Sequence, residues 1–312
     1  QMHLSIHSKS PGFNVTMLTI PSGIENEQGF LDKLFFGKKT TDSEIPISDY
    51  NISNQELTYT EFTSDGLQGL KKTIPLSSFK GEPESYIHKK TFVFGTDKYG
   101  RDLLSRILVG ARISFFIGFV AVFISLLIGV TMGSIAGYFG GKIDAIIMWI
   151  INVTWSIPTL LLVIAITLAL GKGFWQVFIA VGLTMWVEVA RVVRGQVMSV
   201  KKMQYVTAAR ALGYTDFRII FRHILPNIMA PIIVISAANF AAAILIESGL
   251  SFLGIGAQPP MSSWGAMIKD HYNYIILGKP YLALIPGLCI MLLVMSFMLV
   301  GNALRDALDV KS

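Results

Sequence analysis

Residues Ile113–Gly137, ISFFIGFVAVFISLLIGVTMGSIAG, contain no charged side chain. The run is longer than the roughly 20 residues that an α-helix needs to cross about 30 Å of hydrocarbon. Three further uncharged runs of similar length follow it: Ala145–Gly171, Ile224–Ile246 and Tyr281–Leu304. Buried helices of a large soluble protein rarely give uncharged runs this long, so the sequence predicts a membrane domain.

A fifth and shorter apolar run lies between the second and third of the other runs. It covers Gly173–Val187 and extends to Ala190 only by including Glu188. Because it follows the preceding run closely, we interpret it as a span too. The predicted fold is an all-α polytopic membrane domain with five visible spans. We expect a sixth, N-terminal span upstream of Gln1, either cleaved or missing from the sequence.

The charged residues are distributed unevenly along the chain. Of 312 residues 52% are hydrophobic and 15% are charged, against roughly 25% charged in a typical soluble domain. Most of the acids and lysines fall in residues 1–112. Strand-like stretches such as Asn14–Ile20 and Leu57–Phe62 alternate there with turn signals, which is compatible with β-structure but leaves the fold of this segment undecided. The sequence does not decide whether this segment contacts a partner or is a passive spacer.

The predicted organisation has four parts and follows from these patterns. They are an extracytoplasmic domain or elaborated loop at 1–93, an interfacial helix at 94–112, a transmembrane domain at 113–304 containing a cytoplasmic loop at 191–223, and a cytoplasmic tail at 305–312. We expect Thr96 or Asp97 to cap the interfacial helix, and the chain to turn into the membrane at Ala111-Arg112.

Basic residues set the predicted orientation, because loops rich in Lys and Arg stay on the cytoplasmic side. The loop between the third and fourth spans carries seven of them: Arg191, Arg194, Lys201, Lys202, Arg210, Arg218 and Arg222. The loop Gly254–Pro280 has only Lys269 and Lys279 as basic residues. We therefore place 191–223 and the C-terminus inside, and residues 1–112 outside.

The sequence lacks the residues that several classes of function require. The net charge of +6 comes without a basic and aromatic platform for nucleic acid. Cys289 is the only cysteine, so the chain has no internal disulfide and no cysteine metal site. No P-loop occurs, and the five histidines are scattered, so we predict no catalytic residue and no metal site. A channel would require a pore filter, and a secondary carrier, the remaining alternative, usually has more acids within its spans.

The cytoplasmic loop contains a short helical pattern. Tyr205, Ala208, Ala209 and Leu212 fall at i, i+3, i+4 and i+7, which places them on one face of a two-turn helix. Gly213 is typical of a helix end. A small-residue face near Arg210, Arg218 and Arg222 suits docking into a groove of a partner, or else an amphipathic helix on lipid headgroups.

The same loop resembles the EAA signature of ABC importer permeases. That signature runs Glu-Ala-Ala, three residues, Gly, and then nine residues to a hydrophobic-x-Leu-Pro. Here Thr207-Ala208-Ala209, Gly213 and Leu225-Pro226 match at the right spacing, with Thr207 in place of Glu and His223 in place of Ile. The resemblance implies a coupling helix that is seated in a cleft of an ATP-hydrolysing subunit, and it assigns Tyr205, Arg210 and Leu212 to that helix.

Two further stretches narrow the resemblance to one subfamily. Phe94–Ser114 and the segment from Glu247 through Gln258-Pro259-Pro260 to Gly265 resemble the C-type permeases of dipeptide and oligopeptide importers. This resemblance covers about residues 94–309. It implies transport of di- or oligopeptides, with nickel chelates, glutathione and oligosaccharides as alternatives, across the cytoplasmic membrane of a bacterium.

The resemblance also implies partners. It predicts a second homologous permease, two ABC ATPase subunits that hold ATP and Mg²⁺, and an extracytoplasmic solute-binding protein, all assembled in membrane lipid and without nucleic acid. This chain itself is expected to bind no cofactor.

Polar residues within the spans are candidates for the translocation path. Asn152 and Ser156 either line the path or bond across helices, and we expect the second. Glu247, with Ser248, faces either the path or a neighbouring permease. Glu188 is expected to form an ion pair with Arg191, three residues later on the same helix. Pro158 is expected to kink the second span.

Overall fold

The computed structural model describes residues 3–22, 29, 33, 42–53, 55–64, 69–79, 81–171, 173–256 and 261–308. The chain forms two compact units. One unit comprises Gln1–Ile113 and Pro260–Pro286, and the other comprises Ser114–Pro259 and Gly287–Ser312. They are named here the sheet unit and the helical unit.

The sheet unit contains a five-stranded antiparallel sheet. Its strands are β1 (Phe13–Ile20), β2 (Ser43–Ile52), β3 (Glu56–Glu61), β4 (Lys71–Pro75) and β5 (Ile87–Phe92). Their order across the sheet is β4-β3-β2-β1-β5. Short 3₁₀ turns at Leu4–Ile6, Leu76–Ser78 and Pro83–Tyr86 flank the strands. The segment thus contains the β-structure with which its alternating pattern is compatible.

Both faces of the sheet carry apolar side chains, because neighbouring strand residues point to opposite faces. Val15 and Met17 pack with Ile6 and Phe92 in one cluster. Leu18, the next residue along β1, belongs to a second cluster. That cluster also contains Ile47, Leu57, Tyr59 and Phe79. The sheet therefore has a core on each side.

A buried carboxylate organises the turn after β5. The Asp97 side chain is 0% exposed and forms ion pairs with Arg101 and Arg106. It also accepts hydrogen bonds from the backbone N–H groups of Tyr99 and Arg101, both at 2.8 Å. Burial alone would raise the pKa of Asp97, but the Arg106 charge and the bonds from Arg101 outweigh it and lower the pKa. The carboxylate is therefore charged at neutral pH.

Helix α1 (Leu103–Phe139) begins directly after this turn. Asp102 caps it by accepting a hydrogen bond from the Ser105 N–H at 3.1 Å. The predicted cap at Thr96 or Asp97 is wrong, since Thr96 bonds to Lys9 and Ile6 and Asp97 to the two arginines. The predicted turn at Ala111-Arg112 is also wrong, because α1 runs through it without a break.

The start of α1 is fastened to a second short helix, α8 (Trp264–His271). The Trp264 Nε1–H donates to the carbonyl oxygen of Ile107 at 2.9 Å. A Cβ atom placed on Gly110 would lie 2.7 Å from the same indole, so only glycine fits there. Arg106 Nε donates to Ser262 Oγ at 3.2 Å. Two of the segments that carry the subfamily resemblance thus meet in space, while Gln258-Pro259-Pro260 lies outside the described residues.

The helical unit is built from long apolar helices. Besides α1 they are α2 (Gly141–Ser156), α3 (Thr159–Leu170), α4 (Phe174–Val200), α7 (Met229–Phe252) and α9 (Tyr281–Leu308). Four helical segments in the described chain are long and apolar enough to cross a membrane, and the α2–α3 pair makes five if it is one span. This agrees with the five predicted spans.

The second predicted span is broken. Helices α2 and α3 meet at 94°. The break lies at Ile157-Pro158, where the proline has no N–H to continue the α2 hydrogen-bond ladder. The predicted kink at Pro158 is confirmed.

Three glycines of α1 allow close contact with α4. A Cβ atom added to Gly129 would lie 2.5 Å from a side-chain atom of Val189, and one added to Gly133 would lie 2.5 Å from the Ala190 carbonyl oxygen. One added to Gly137 would lie 2.8 Å from the Arg194 carbonyl oxygen. Glycines at this four-residue spacing bring two membrane helices together through backbone contact.

Candidate functional site

A short helix, α5 (Gln204–Ala211), lies between α4 and the next membrane segment. Its inner face consists of Val206 and Ala209, which are 0% and 3% exposed. Tyr205, Ala208 and Leu212 are exposed on its outer side. The predicted face is thus divided, because Ala209 lies one helical turn after Val206 and packs inward with it. We call Tyr205, Ala208 and Leu212 the outer face of α5.

The inner face of α5 is anchored in a buried apolar cluster of the helical unit. The cluster also contains Tyr138, Val189, Val193, Val197, Ile219, Ile220, Ile224, Ile228 and Ile232. These residues come from α1, α4 and the segments that follow α5. Because a close-packed core has low compressibility, this cluster connects α5 firmly to the membrane helices.

Gly213 ends α5. Its φ of +78° is a backbone conformation that glycine adopts without strain. Its N–H bonds to the Arg210 carbonyl oxygen at 2.9 Å, and the Tyr214 N–H bonds to that of Ala209 at 3.2 Å. This bond pair is the Schellman termination of a helix. The stop predicted at Gly213 is confirmed.

Polar contacts hold the chain in place before and after α5. Lys201 Nζ donates to the Gly137 carbonyl oxygen at 2.7 Å, at the end of α1. The Tyr138 hydroxyl donates to Asp216 Oδ1 at 2.6 Å. The Arg210 guanidinium lies 5.1 Å from the centre of the Tyr138 ring. Sequence reasoning missed Tyr138 and Asp216, because no local pattern connects two residues 78 positions apart.

The chain returns to the membrane through irregular helix. After α6 (Asp216–Ile219), a π-helical turn covers Ile220–Ile224 and a 3₁₀ turn covers Leu225–Ile228. The second turn contains Pro226, whose missing N–H fits this change of hydrogen bonding.

The two residues that depart from the EAA signature also have local contacts. His223 stacks on Tyr214, with ring centroids 5.6 Å apart. The Thr207 hydroxyl donates to the Met203 carbonyl oxygen at 3.5 Å and is exposed. The predicted loop 191–223 is shorter in the structure, since α4 continues to Val200 and carries Arg191 and Arg194.

Asn152 bonds across helices. The Arg191 guanidinium on α4 donates to Asn152 Oδ1 on α2 at 2.7 Å and lies 3.5 Å from the centre of the Trp155 ring. The expected interhelical bond of Asn152 is confirmed, and the predicted Glu188–Arg191 ion pair is wrong, because Arg191 is held by α2 instead. The interhelical bond expected of Ser156 is wrong, because its hydroxyl bonds within its own helix, to the Val153 carbonyl oxygen at 2.7 Å.

Glu247 is 0% exposed, and its Oε1 accepts a hydrogen bond from the Ser251 hydroxyl at 2.5 Å. Ser248 beside it is 9% exposed. The role of these two residues at the path or at a neighbouring permease stays a prediction. Within the described residues, no group of three or more His, Cys, Asp or Glu side chains is placed to hold a metal ion.

The chain is similar to transport proteins of known families. Residues 129–311 match the family described as binding-protein-dependent transport system inner membrane component. The dipeptide transport system permease protein DppC of Bacillus subtilis is 45% identical over 218 residues, which are 70% of this chain and 68% of that protein. The oligopeptide permease OppC of the same organism is 44% identical, over 70% of this chain and 71% of OppC.

A glutathione permease is similarly related. GsiD of Pectobacterium atrosepticum is 42% identical over 70% of this chain and 72% of GsiD. Among solved structures, an inward-facing MetNI methionine ABC transporter matches with a TM-score of 0.54 and 18% identity, over 66% of this chain and 97% of the MetNI chain. That likeness shows a shared fold. The chain therefore belongs to the family of inner membrane components of binding-protein-dependent transport systems, the permease subunits of ABC importers.

Proposed function

We propose that this permease forms half of a path for di- or oligopeptides and receives the motion of an ATPase through α5. The observation that carries the proposal is the division of α5 into an anchored inner face and an open outer face. Leu212 is 71% exposed and Tyr205 43%, although both are large apolar side chains. An exposed apolar face on a firmly anchored short helix suits insertion into a groove of a partner.

The proposed partners follow from this arrangement and from the family. Two ABC ATPase subunits hold ATP and Mg²⁺, a second homologous permease completes the path, and an extracytoplasmic solute-binding protein delivers the substrate. ATP binding closes the ATPases and moves α5, and the helical unit then changes between inward-open and outward-open states. The chain itself contributes no catalytic residue.

The proposed location is the cytoplasmic membrane of a bacterium. Lys201, Lys202, Arg210, Arg218 and Arg222 surround α5, and this cluster supports a cytoplasmic position for it. Residues 1–112 then lie outside as an extracytoplasmic domain with a lead into the membrane, 113–304 form the transmembrane domain, and 305–312 lie inside.

Support for a peptide substrate comes from the relatives, since two are named as dipeptide or oligopeptide permeases and one as a glutathione permease. All three substrates share peptide bonds and a free ammonium group. Nickel chelates and oligosaccharides remain alternatives that the same machine could carry.

Assembly tests the proposal. The full-length chain is purified from native membranes in mild detergent, and its partners are identified by mass spectrometry. We expect a P-loop ATPase and a second permease, with the ATPase lost in a Leu212→Asp variant. A Leu70→Asp variant is the matched control, because Leu70 is 69% exposed but lies in the sheet unit. A chain that purifies without any ATPase would overturn the proposal.

A further inference from the structure

The break in the second span borders a small cavity of about 140 Å³. Its polar lining comes from Thr154, Thr159, Thr184 and Glu188, and Trp155 forms part of the wall. Apolar side chains of the break and of α3, α4 and α7 complete it. The volume is well above the roughly 10–15 Å³ that one water requires, so a charged group of a solute fits inside.

Among the described residues that line this cavity, Glu188 is the only charged one. It is exposed, although it lies in the apolar helix α4. Within the described part of the chain it makes no ion pair, since Arg191 is bonded to Asn152. A carboxylate at such a position in a membrane helix usually faces a water-filled cavity and takes part in function.

The threonines of the cavity favour a ligand that donates hydrogen bonds. The Thr154 hydroxyl donates to the Ile150 carbonyl oxygen at 2.9 Å, and the Thr184 hydroxyl donates to that of Val181 at 2.8 Å. Their hydrogens are therefore occupied, and only their lone pairs remain available. Together with the carboxylate, these oxygens form a set of acceptors that suits an ammonium group.

A positive charge lies close to the same cavity. Arg191 follows Glu188 by three residues, which is about 4.5 Å along the helix, and its guanidinium covers the ring of Trp155 in the cavity wall. Arg191 therefore holds a positive charge beside the cavity wall, bound to Asn152 and stacked on Trp155.

We propose that this cavity is a subsite of the translocation path that takes the primary ammonium group of a zwitterionic substrate, with Glu188 as the counter-ion. The proposal rests on the proposed peptide import and deepens it, because it names a residue in the membrane that recognises one end of the peptide.

The test uses the assembled importer with Cys289→Ser and Thr159→Cys, which places one reactive thiol at the cavity. Two reagents of similar size compete for this thiol, 2-aminoethyl methanethiosulfonate, which is cationic, and methyl methanethiosulfonate, which is neutral. We expect Glu188→Gln to lower the ratio of cationic to neutral labelling rates about three- to fivefold, as for the loss of one partly exposed ion pair. Glu188→Asp should restore most of the ratio.

Substrate contact is measured in the same complex. Trialanine delivered by the loaded binding protein should slow labelling of Thr159→Cys, whereas sodium chloride at matched ionic strength should not. The control is Asp306→Asn, which removes an exposed carboxylate on α9, whereas Glu188 lies on α4. It should leave the labelling ratio unchanged.

Three results would overturn the subsite. They are a labelling ratio that Glu188→Gln leaves unchanged, protection by sodium chloride equal to that by trialanine, and no protection in a complex that imports trialanine. A complex that imports no peptide at all would contradict the proposed function, and the labelling ratio would still decide whether the cavity attracts an ammonium group.

Discussion

The Tyr138 hydroxyl donates a 2.6 Å hydrogen bond to Asp216, joining the last turn of α1 to the first residue of α6. Asp216 follows Gly213, the end of α5, by three residues. The ring of Tyr138 also lies under Arg210 of α5. One side chain of a membrane helix thus contacts the segments on both sides of the helix end, so we expect movement of α5 to be transmitted to α1.

We expect Tyr138→Phe to weaken coupling. The variant keeps the ring under Arg210 but removes the bond to Asp216, a loss of about 1 kcal/mol. Transport of peptide per ATP hydrolysed should fall about two- to fivefold in proteoliposomes. Tyr50→Phe, which changes an exposed tyrosine of β2, is the control. Normal coupling in both Tyr138→Phe and Asp216→Asn would show that this bond transmits nothing.

Gly133→Ala should destabilise the contact between α1 and α4. The new methyl group would lie 2.5 Å from the Ala190 carbonyl oxygen, so the helices must separate. Overpacking of this kind costs about 1–3 kcal/mol, which a thermal unfolding measurement in detergent resolves.

Gly195→Ala is the matched control for this substitution. Gly195 is also in a membrane helix, but an added Cβ atom meets nothing within 4 Å. We expect no loss there, and a gain of up to about 1 kcal/mol from helix propensity. Equal unfolding temperatures for the two variants would contradict the close helix contact.

Asp97→Asn should unfold the turn between β5 and α1. The substitution leaves Arg106 and Arg101 without their shared carboxylate, and removal of one partner from a buried ion pair costs about 3–5 kcal/mol. Hydrogen exchange of residues 94–106 should rise by orders of magnitude. Asp49→Asn, at an exposed position of β2, should change nothing in that segment. Unchanged exchange in Asp97→Asn would contradict the role of the carboxylate.

The sheet unit should lose stability in mild acid. Burial lowers the pKa of His271. Its Nε2 accepts a hydrogen bond from the Lys98 N–H at 3.3 Å, and its Nδ1 bonds to the Met267 carbonyl oxygen at 2.7 Å. The folded state therefore favours the neutral ring. Its contribution is fully present above about pH 6.5 and is lost progressively as the pH falls toward the lowered pKa.

Hydrogen exchange of α8 between pH 7 and pH 5, corrected for the intrinsic rate, measures this loss. His271→Asn should remove part of the pH dependence. We expect the remainder from His3, because burial lowers its pKa as well. Its contribution to the pH dependence of stability has the same sign. A pH dependence identical in wild type and His271→Asn would contradict the assignment to His271.

The membrane spans were predictable because a helix that crosses the hydrocarbon must be long and apolar. Both properties are visible in runs such as Ile113–Gly137. The break at Pro158 was predictable too, since a proline cannot donate to the helix ladder. The 94° bend and the cavity beside it were not, because they depend on which helices pack at the break.

Contacts distant in sequence account for the predictions that were wrong. Glu188 and Arg191 are close on one helix, yet Arg191 is bonded to Asn152, 39 residues away. Ala209 fits the predicted face of α5 by spacing, but the apolar cluster formed with Tyr138 and Val193 determines that it is buried. The partner of Gly133 likewise becomes known only when α4 is in place.

We propose that the outer face of α5 receives the motion of the ATPase. The most direct test of this proposal is substrate-stimulated ATP hydrolysis by the complete importer in proteoliposomes, with loaded binding protein added, compared among wild type, Leu212→Asp, Ala208→Asp and Leu70→Asp. We expect the two α5 variants to lose stimulation at least about tenfold, as for a residue at the centre of an interface, and Leu70→Asp to behave as wild type. Stimulation at the wild-type level in both α5 variants would contradict the proposal.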